Sequence, residues 1–259
     1  MKYLLANWKM YTTTVEAVAL FAEIQQGLRE RAKAGTPLPR AIICPPFLSL
    51  ALIRAFIDHD LARLGAQNCH WEPEGPFTGE ISPVMLKEVA EYVLVGHSER
   101  RAAGETDEQI ARKVAGAAGA GLTPILFVGE DDRTKGALSQ SEKRLVAGLR
   151  CIDPSRHHVV VVYEPTWAVG ADRPADVSYV CEVVEHLKAR MGELGIRRPE
   201  VIYGGTVTAG NVRQFAEADL LDGVGATRAS LNASDFLAMF DQVAGFVDPT
   251  SDGIGGRAG

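Results

Sequence analysis

The stretch Val161-Val162-Tyr163-Glu164-Pro165-Thr166-Trp167-Ala168-Val169-Gly170 carries a carboxylate out of a β-branched run and directly into a proline-led segment. Val159 to Val162 reads as a buried strand, so Glu164 stands at its end, and Pro165 followed by small residues opens a loop. Glu164 is read as a base and Pro165, Thr166, Trp167, Ala168 and Val169 as its mobile lid. Taken alone, a glutamate there is better read as a solvated anchor or an ion-pair partner. What shifts the balance is that Asn7 and Lys9, His97, Gly204-Gly205-Thr206, and Thr227-Arg228 each follow a short apolar run of their own.

Those runs are the elements that must position the chemistry. Strands are expected at Tyr3 to Trp8, Ala41 to Cys44, Leu61 to Ala66, Tyr92 to Gly96, Pro124 to Val128, Val159 to Tyr163, Val201 to Tyr203 and Asp222 to Ala226. Helical spacing lies between them. Ala17, Phe21, Ile24 and Leu28 mark the first helix, after Thr12 to Thr14, which can cap it, and Leu48 to Ile57 and Met85 to Val89 make two short helices. Thr106 and Gln109 have the form of a capping box before Ile110 and Val114. A polar helix covers Glu142 to Leu149, and Val177, Val180, Val184, Leu187 and Met191 form the clearest apolar stripe. Asn211 to Ala218 follows the seventh strand, and Phe236, Phe240, Val243 and Val247 mark the last helix.

Alternation of this kind requires parallel strands with right-handed crossovers, and eight units in about 250 residues is the size of a closed (β/α)8 barrel. An open doubly wound sheet is the rival, but no Gly-x-Gly-x-x-Gly follows the first strand. The expected organisation is one barrel domain over 1–248 with a disordered, Gly-rich tail over 249–259. In a barrel all C-terminal strand ends meet at one mouth, which gathers Asn7, Lys9, His97, Glu164, Gly204, Gly205, Thr206, Thr227 and Arg228. A carboxylate with an imidazole and a fixed cation suits proton abstraction beside a carbonyl, where charge develops on oxygen. The backbone-rich turns suit an anion.

Composition removes other classes. A formal charge of -6 without a local basic cluster argues against nucleic acid. Four scattered cysteines show no metal-ligand spacing and suit a reducing cytoplasm. His157-His158, read as neighbours on a strand, would point to opposite faces and could not share an ion. Tyr3 to Ala6 is too short for a signal peptide's apolar region, and no segment approaches a transmembrane length. No metal and no cofactor is expected. A sugar-phosphate sensor would not need Lys9, His97 and Glu164 together, and an aldolase barrel would want a Schiff-base lysine where Glu164 stands.

Five motifs, Asn7-Trp8-Lys9, Gly75-Pro76-Phe77-Thr78-Gly79-Glu80, Gly96-His97-Ser98-Glu99-Arg100-Arg101, Tyr163-Glu164-Pro165-Thr166-Trp167-Ala168 and Tyr203-Gly204-Gly205, resemble in order and spacing the signatures of the triosephosphate isomerase family. The resemblance implies interconversion of dihydroxyacetone phosphate and glyceraldehyde 3-phosphate, in glycolysis and gluconeogenesis. It implies that Glu164 shuttles the proton and that neutral His97 polarises the enediolate oxygens, with the helix starting near Ser98 disfavouring imidazolium. Lys9 would supply fixed charge, Asn7 a hydrogen bond, and Glu99 would hold Lys9. The segment from Pro165 to Ala175 would close over the ligand, with the Gly170 amide reaching its phosphate, Glu130 steadying Trp167 and Tyr203 latching the loop. Thr78 would tip a dimer-forming loop that inserts near the neighbour's Lys9, giving a homodimer. Gln67, Asn68 and Glu105 would support the site or the subunit contact.

The chain also departs from the family's pattern. Ala171-Asp172-Arg173-Pro174 stands where Thr-Gly-Lys is usual, which should restrict the lid's backbone. Thr227-Arg228 replaces a Gly-Gly turn, Thr206 a serine and Phe127 a cysteine, and the loop after Arg101 is about one residue short. Arg228 could hold the phosphate through its guanidinium or swing aside and enlarge the pocket. Together with Asn68-Cys69-His70-Trp71 it is similar to a subgroup that isomerises four-carbon ketose phosphates, L-erythrulose 1-phosphate to D-erythrulose 4-phosphate.

Overall fold

The computed structural model describes residues 2–133, 136–171 and 173–247. Eight strands, β1 (Tyr3–Asn7), β2 (Arg40–Cys44), β3 (Ala62–Ala66), β4 (Tyr92–Val95), β5 (Thr123–Val128), β6 (Val160–Tyr163), β7 (Glu200–Tyr203) and β8 (Gly223–Ala226), close into a barrel in sequence order. Every neighbouring pair is parallel, including β1 with β8. The helices are α1 (Thr14–Lys33), α2 (Phe47–Arg54), α3 (Pro83–Lys87), α4 (Ser98–Ala102), α5 (Asp107–Gly119), α6 (Ala137–Leu149), α7 (Val177–Glu193), α8 (Val212–Ala216) and α9 (Ala233–Ala244).

Two cores explain why the strands read as continuous apolar runs. Leu5, Ile42, Leu94, Ile125, Val160, Val162 and Ile202 belong to a cluster drawn from strands alone, which is the barrel interior. Their alternates, such as Leu4, Ile43, Val95, Val161 and Val201, join a larger cluster with the helices. On β1, β2, β4, β5, β6 and β7 both faces therefore carry buried apolar side chains, as helix-covered parallel strands require. The stripe on α7 is buried at Val180, Val184, Leu187 and Met191. The expected capping box of α5 has both reciprocal bonds, and Thr13 with Glu16 forms another on α1.

Some boundaries differ from expectation. The sixth helix begins at Ala137 rather than Glu142, and the last ends at Ala244, so Val247 lies beyond it. His157 and His158 precede β6 instead of riding on it; His158 Nε2 pairs with Glu200 Oε2 at 2.6 Å. The tail 249–259, and Asp172 in the segment expected to close over a ligand, lie outside the described residues.

Candidate active site

At the end of β1 the chain turns sharply, and Lys9 takes the left-handed region with φ of 50°. A non-glycine residue there costs on the order of 1–3 kcal/mol and persists only when its surroundings hold it. Here Asn7 Oδ1 accepts the Lys9 amide at 3.0 Å, and Gln67 Nε2 donates to the carbonyls of Lys9 (2.8 Å) and Cys44 (3.0 Å). The backbone so fixed aims Lys9 Nζ at Glu99 Oε1, 2.6 Å away.

Gly96, with φ of 75°, swings the chain out of β4 and into α4. His97 is the N-cap of α4, its Nδ1 accepting the Glu99 amide at 3.2 Å. An imidazole nitrogen that accepts carries no proton, so in this arrangement the neutral ring bears its hydrogen on Nε2. Nε2 faces Glu164 Oε1 at 3.1 Å, while Glu164 Oε2 accepts the Ser98 amide at 3.0 Å. Glu164 is nearly buried, at 4% exposure, and its backbone lies close to β5: a Cβ on Gly129 would stand 2.0 Å from the Glu164 carbonyl oxygen.

The segment after Glu164 is fastened at both ends. The amide and the hydroxyl of Thr166 both donate to the Glu130 carbonyl at 3.0 Å, and Thr166–Ala168 forms a 3-10 turn. Glu130, fully buried, gathers four donors: Tyr163 OH (2.7 Å), Trp167 Nε1 (2.9 Å) and Tyr179 OH (3.0 Å) on Oε1, and Ser141 Oγ (2.8 Å) on Oε2. Burial and the adjacent Glu130 carboxylate push the Tyr163 hydroxyl far up, so it remains a donor. At the far end the Thr206 hydroxyl lies 2.9 Å from the Ala168 carbonyl and 3.3 Å from that of Ala171. Tyr203 OH accepts the Ala175 amide at 3.0 Å; burial pushes that hydroxyl's pKa up to about 12.

These elements enclose a cavity of about 410 Å³. Its lining includes Lys9, Glu99 and Glu164 together with Gly170, Gly204, Gly205, Thr206, Thr227 and Arg228. Asn7 and His97 stand behind it, joined to Lys9 and Glu164. Arg228 opens the 3-10 turn Arg228–Leu231, is exposed, and makes no hydrogen bond or ion pair with the described residues. Thr78 is not brought to this cavity: it stands exposed on the loop between β3 and α3. At that loop's base His70 is stacked on Trp71 at 4.2 Å and lies 4.3 Å from Phe77. Asn68 Oδ1 accepts from Lys113 Nζ at 2.9 Å, and Lys113 is ion-paired with Glu105.

Sequence reasoning missed Tyr11, Val207, Thr208 and Ala229 on the cavity wall, although each adjoins or nearly adjoins a residue it singled out. It also missed Ser141 and Tyr179 at Glu130, for which no local spacing is a signal. Among the described residues no cluster of three or more His, Cys, Asp and Glu could hold a metal ion, and no helix is long and apolar enough to cross a membrane.

The chain is similar to known proteins over most of its length. The family model described as Triosephosphate isomerase matches residues 2–243. A triosephosphate isomerase of Dehalococcoides mccartyi is 35% identical over 246 residues, covering 92% of this chain and 95% of the relative. One from Trichodesmium erythraeum is 36% identical over 234 residues, covering 89% and 94% respectively. The crystal structure of triosephosphate isomerase from Bartonella henselae superposes with a TM-score of 0.79 at 30% identity, over 93% of this chain and 99% of its own.

Proposed function

The chain belongs to the triosephosphate isomerase family, and from that premise we propose that Glu164 and His97 carry its interconversion of dihydroxyacetone phosphate and glyceraldehyde 3-phosphate. The single observation behind the assignment is the 3.1 Å approach of His97 Nε2 to Glu164 Oε1 beside Lys9. The Glu164 carboxylate takes a proton from the carbon beside the carbonyl, and the electron pair moves onto oxygen as an enediolate. His97 at rest shares its Nε2 hydrogen with Glu164; on substrate binding it turns that hydrogen to the substrate oxygens. By way of His97 the hydroxyl proton of the first oxygen passes to the oxygen that was the carbonyl, and Glu164 returns its proton to the neighbouring carbon, so that hydroxyl and carbonyl have exchanged places. Lys9 offsets the developing charge, oriented by Glu99, and Asn7 keeps the Lys9 backbone in its strained turn. No other reactant is consumed.

The phosphate sits among the Gly170, Gly204, Gly205 and Thr206 backbone, the Thr227 hydroxyl and the Arg228 guanidinium. The lid, Pro165 to Val169 and onward, excludes water and holds the enediolate away from the geometry that would expel phosphate. The four-carbon ketose phosphate reading gains nothing over the triose reading, because the relatives reported above are triosephosphate isomerases.

We also assign the enzyme to a homodimer in the cytoplasm. Support for the dimer is the set of apolar side chains left open beside Lys9 and on the 67–82 loop and α3, including Met10, Tyr11, Phe77 and Met85. Four free cysteines suit a reducing compartment.

Replacing Glu164 with Gln tests the mechanism. The variant should lose roughly two to four orders of magnitude in kcat with KM little changed, since the base acts only in the transition state. Near-normal turnover with either triose phosphate would sink the assignment.

A further inference from the structure

Trp167 is the middle of the 3-10 turn that follows Glu164, so the position of its indole and the docking of the lid are one mechanical unit. Its N–H donates to the Glu130 carboxylate at 2.9 Å. It shares Glu130 Oε1 with the hydroxyls of Tyr163 and Tyr179, three donors on one carboxylate oxygen that has about two lone pairs to offer. Tyr163 is fully buried and makes the shortest of the three bonds, whereas Trp167 is only partly buried. The indole's one hydrogen bond thus ends on a shared acceptor, and a second contact would add to its hold.

That contact comes from a residue with no assigned role. The Arg133 guanidinium lies 4.7 Å from the Tyr179 ring centre and 5.8 Å from that of Trp167, whose rings are themselves 6.0 Å apart. Both distances fall within the reach of a cation over an aromatic face. Arg133 is itself exposed, so it does not fill the core; what it contributes is its charge and its planar face.

We propose that Arg133 is a positioning residue for the reaction: laid over Tyr179 and reaching Trp167, it holds the indole against Glu130 and favours the docked lid. The docked position is the one described above, with the Thr206 hydroxyl on the lid carbonyls and Tyr203 OH on the Ala175 amide. Arg133 does not line the cavity, and it acts on the reaction through the position of Trp167. The proposal rests on the isomerase reading for its kinetic consequence only.

The test is fluorine NMR of the full chain labelled with 5-fluorotryptophan, which reports on Trp8, Trp71 and Trp167. Trp71 is an internal reference, because Arg112 lies over its ring at 4.4 Å in the same kind of contact. Arg133→Met should move the Trp167 resonance, assigned by Trp167→Phe, and leave those of Trp8 and Trp71 in place. KM for the triose phosphates should rise roughly two- to fivefold, the worth of one exposed cation–ring contact, with kcat little altered. Arg133→Lys should recover part of both effects. In a Trp167→Leu background, Arg133→Met should change KM no further.

An unmoved Trp167 resonance with unchanged KM overturns the proposal. So does movement of all three resonances with a lowered melting temperature, which marks a general structural role. Since the resonances need no turnover, an inactive protein whose Trp167 signal still answers to Arg133 would count against the isomerase reading and not against this contact.

Discussion

At the scale of single residues, the site shows strain and freedom side by side. Lys9 is forced into left-handed backbone by bonds from Asn7 and Gln67, and its ammonium is already committed to Glu99. Arg228 is the opposite case, a guanidinium on the cavity wall with no hydrogen bond or ion pair among the described residues. A dianionic phosphate entering that cavity meets it without first breaking another bond. Arg228→Ala should therefore raise KM by about tenfold, the lower end for a hydrogen bond to a charged group because the side chain is exposed, with kcat nearly kept. The increase should shrink at high salt, and initial rates at two ionic strengths read both effects. An unchanged KM would exclude Arg228 from phosphate binding.

At the scale of elements, the C-terminal side of the lid is anchored immediately after Pro174. Ala175 bonds to Tyr203, and Asp176 caps α7 by accepting the amides of Ser178 and Tyr179. The proline that departs from the family's pattern thus adjoins a segment already fixed by hydrogen bonds. At the other end of the barrel, Glu200 on β7 accepts from His158, just before β6, at 2.6 Å and from Tyr3 on β1 at 2.8 Å. Burial by itself would raise the Glu200 carboxyl, but the bonds from His158 and Tyr3 and the charges of His158 and Arg40 outweigh it, so its pKa is lowered. A carboxyl lowered in the folded state stabilises the fold above its unfolded pKa, and that contribution is lost as the pH falls through the folded value. Urea midpoints of the wild type and of Glu200→Gln should differ most near neutral pH and converge below about pH 4. A gap that persists or widens in acid would contradict this.

For the whole molecule, the uneven distribution of exposed apolar side chains matters most. Met10, Val15 and Leu48 are at least 80% exposed, and Phe77, Val84 and Met85 are also open. Large apolar residues left so open cost solubility unless another surface covers them. Equilibrium sedimentation at micromolar protein should give a dimer, and Met10→Ser with Met85→Ser should shift it toward monomer. Monomer alone for the unaltered chain would remove the proposed assembly and the proposed place of Thr78 beside a neighbour's Lys9.

Much of this was legible in the sequence because it depends on local periodicity. Eight apolar runs separated by helical spacing imply parallel strands, and parallel strands place every C-terminal end on one mouth; hence Lys9, Glu164, Thr206 and Arg228 could be gathered before any coordinate was known. Capping boxes such as Thr106 with Gln109 are local too. Helix ends were less certain: α6 starts a turn early, and Val247, although in phase, lies beyond α9, since periodicity does not say where a helix stops. Tertiary structure alone decided what depends on distances between remote elements. The position of the His97 proton follows from the Glu99 amide, and the convergence of Tyr163, Trp167, Tyr179 and Ser141 on Glu130 joins β6, the lid, α7 and α6. The placing of Arg133 over two rings belongs to the same kind. Hydrogen bonds and ring contacts act over a few ångströms, and only closure of the barrel brings residues this far apart in the chain within that range.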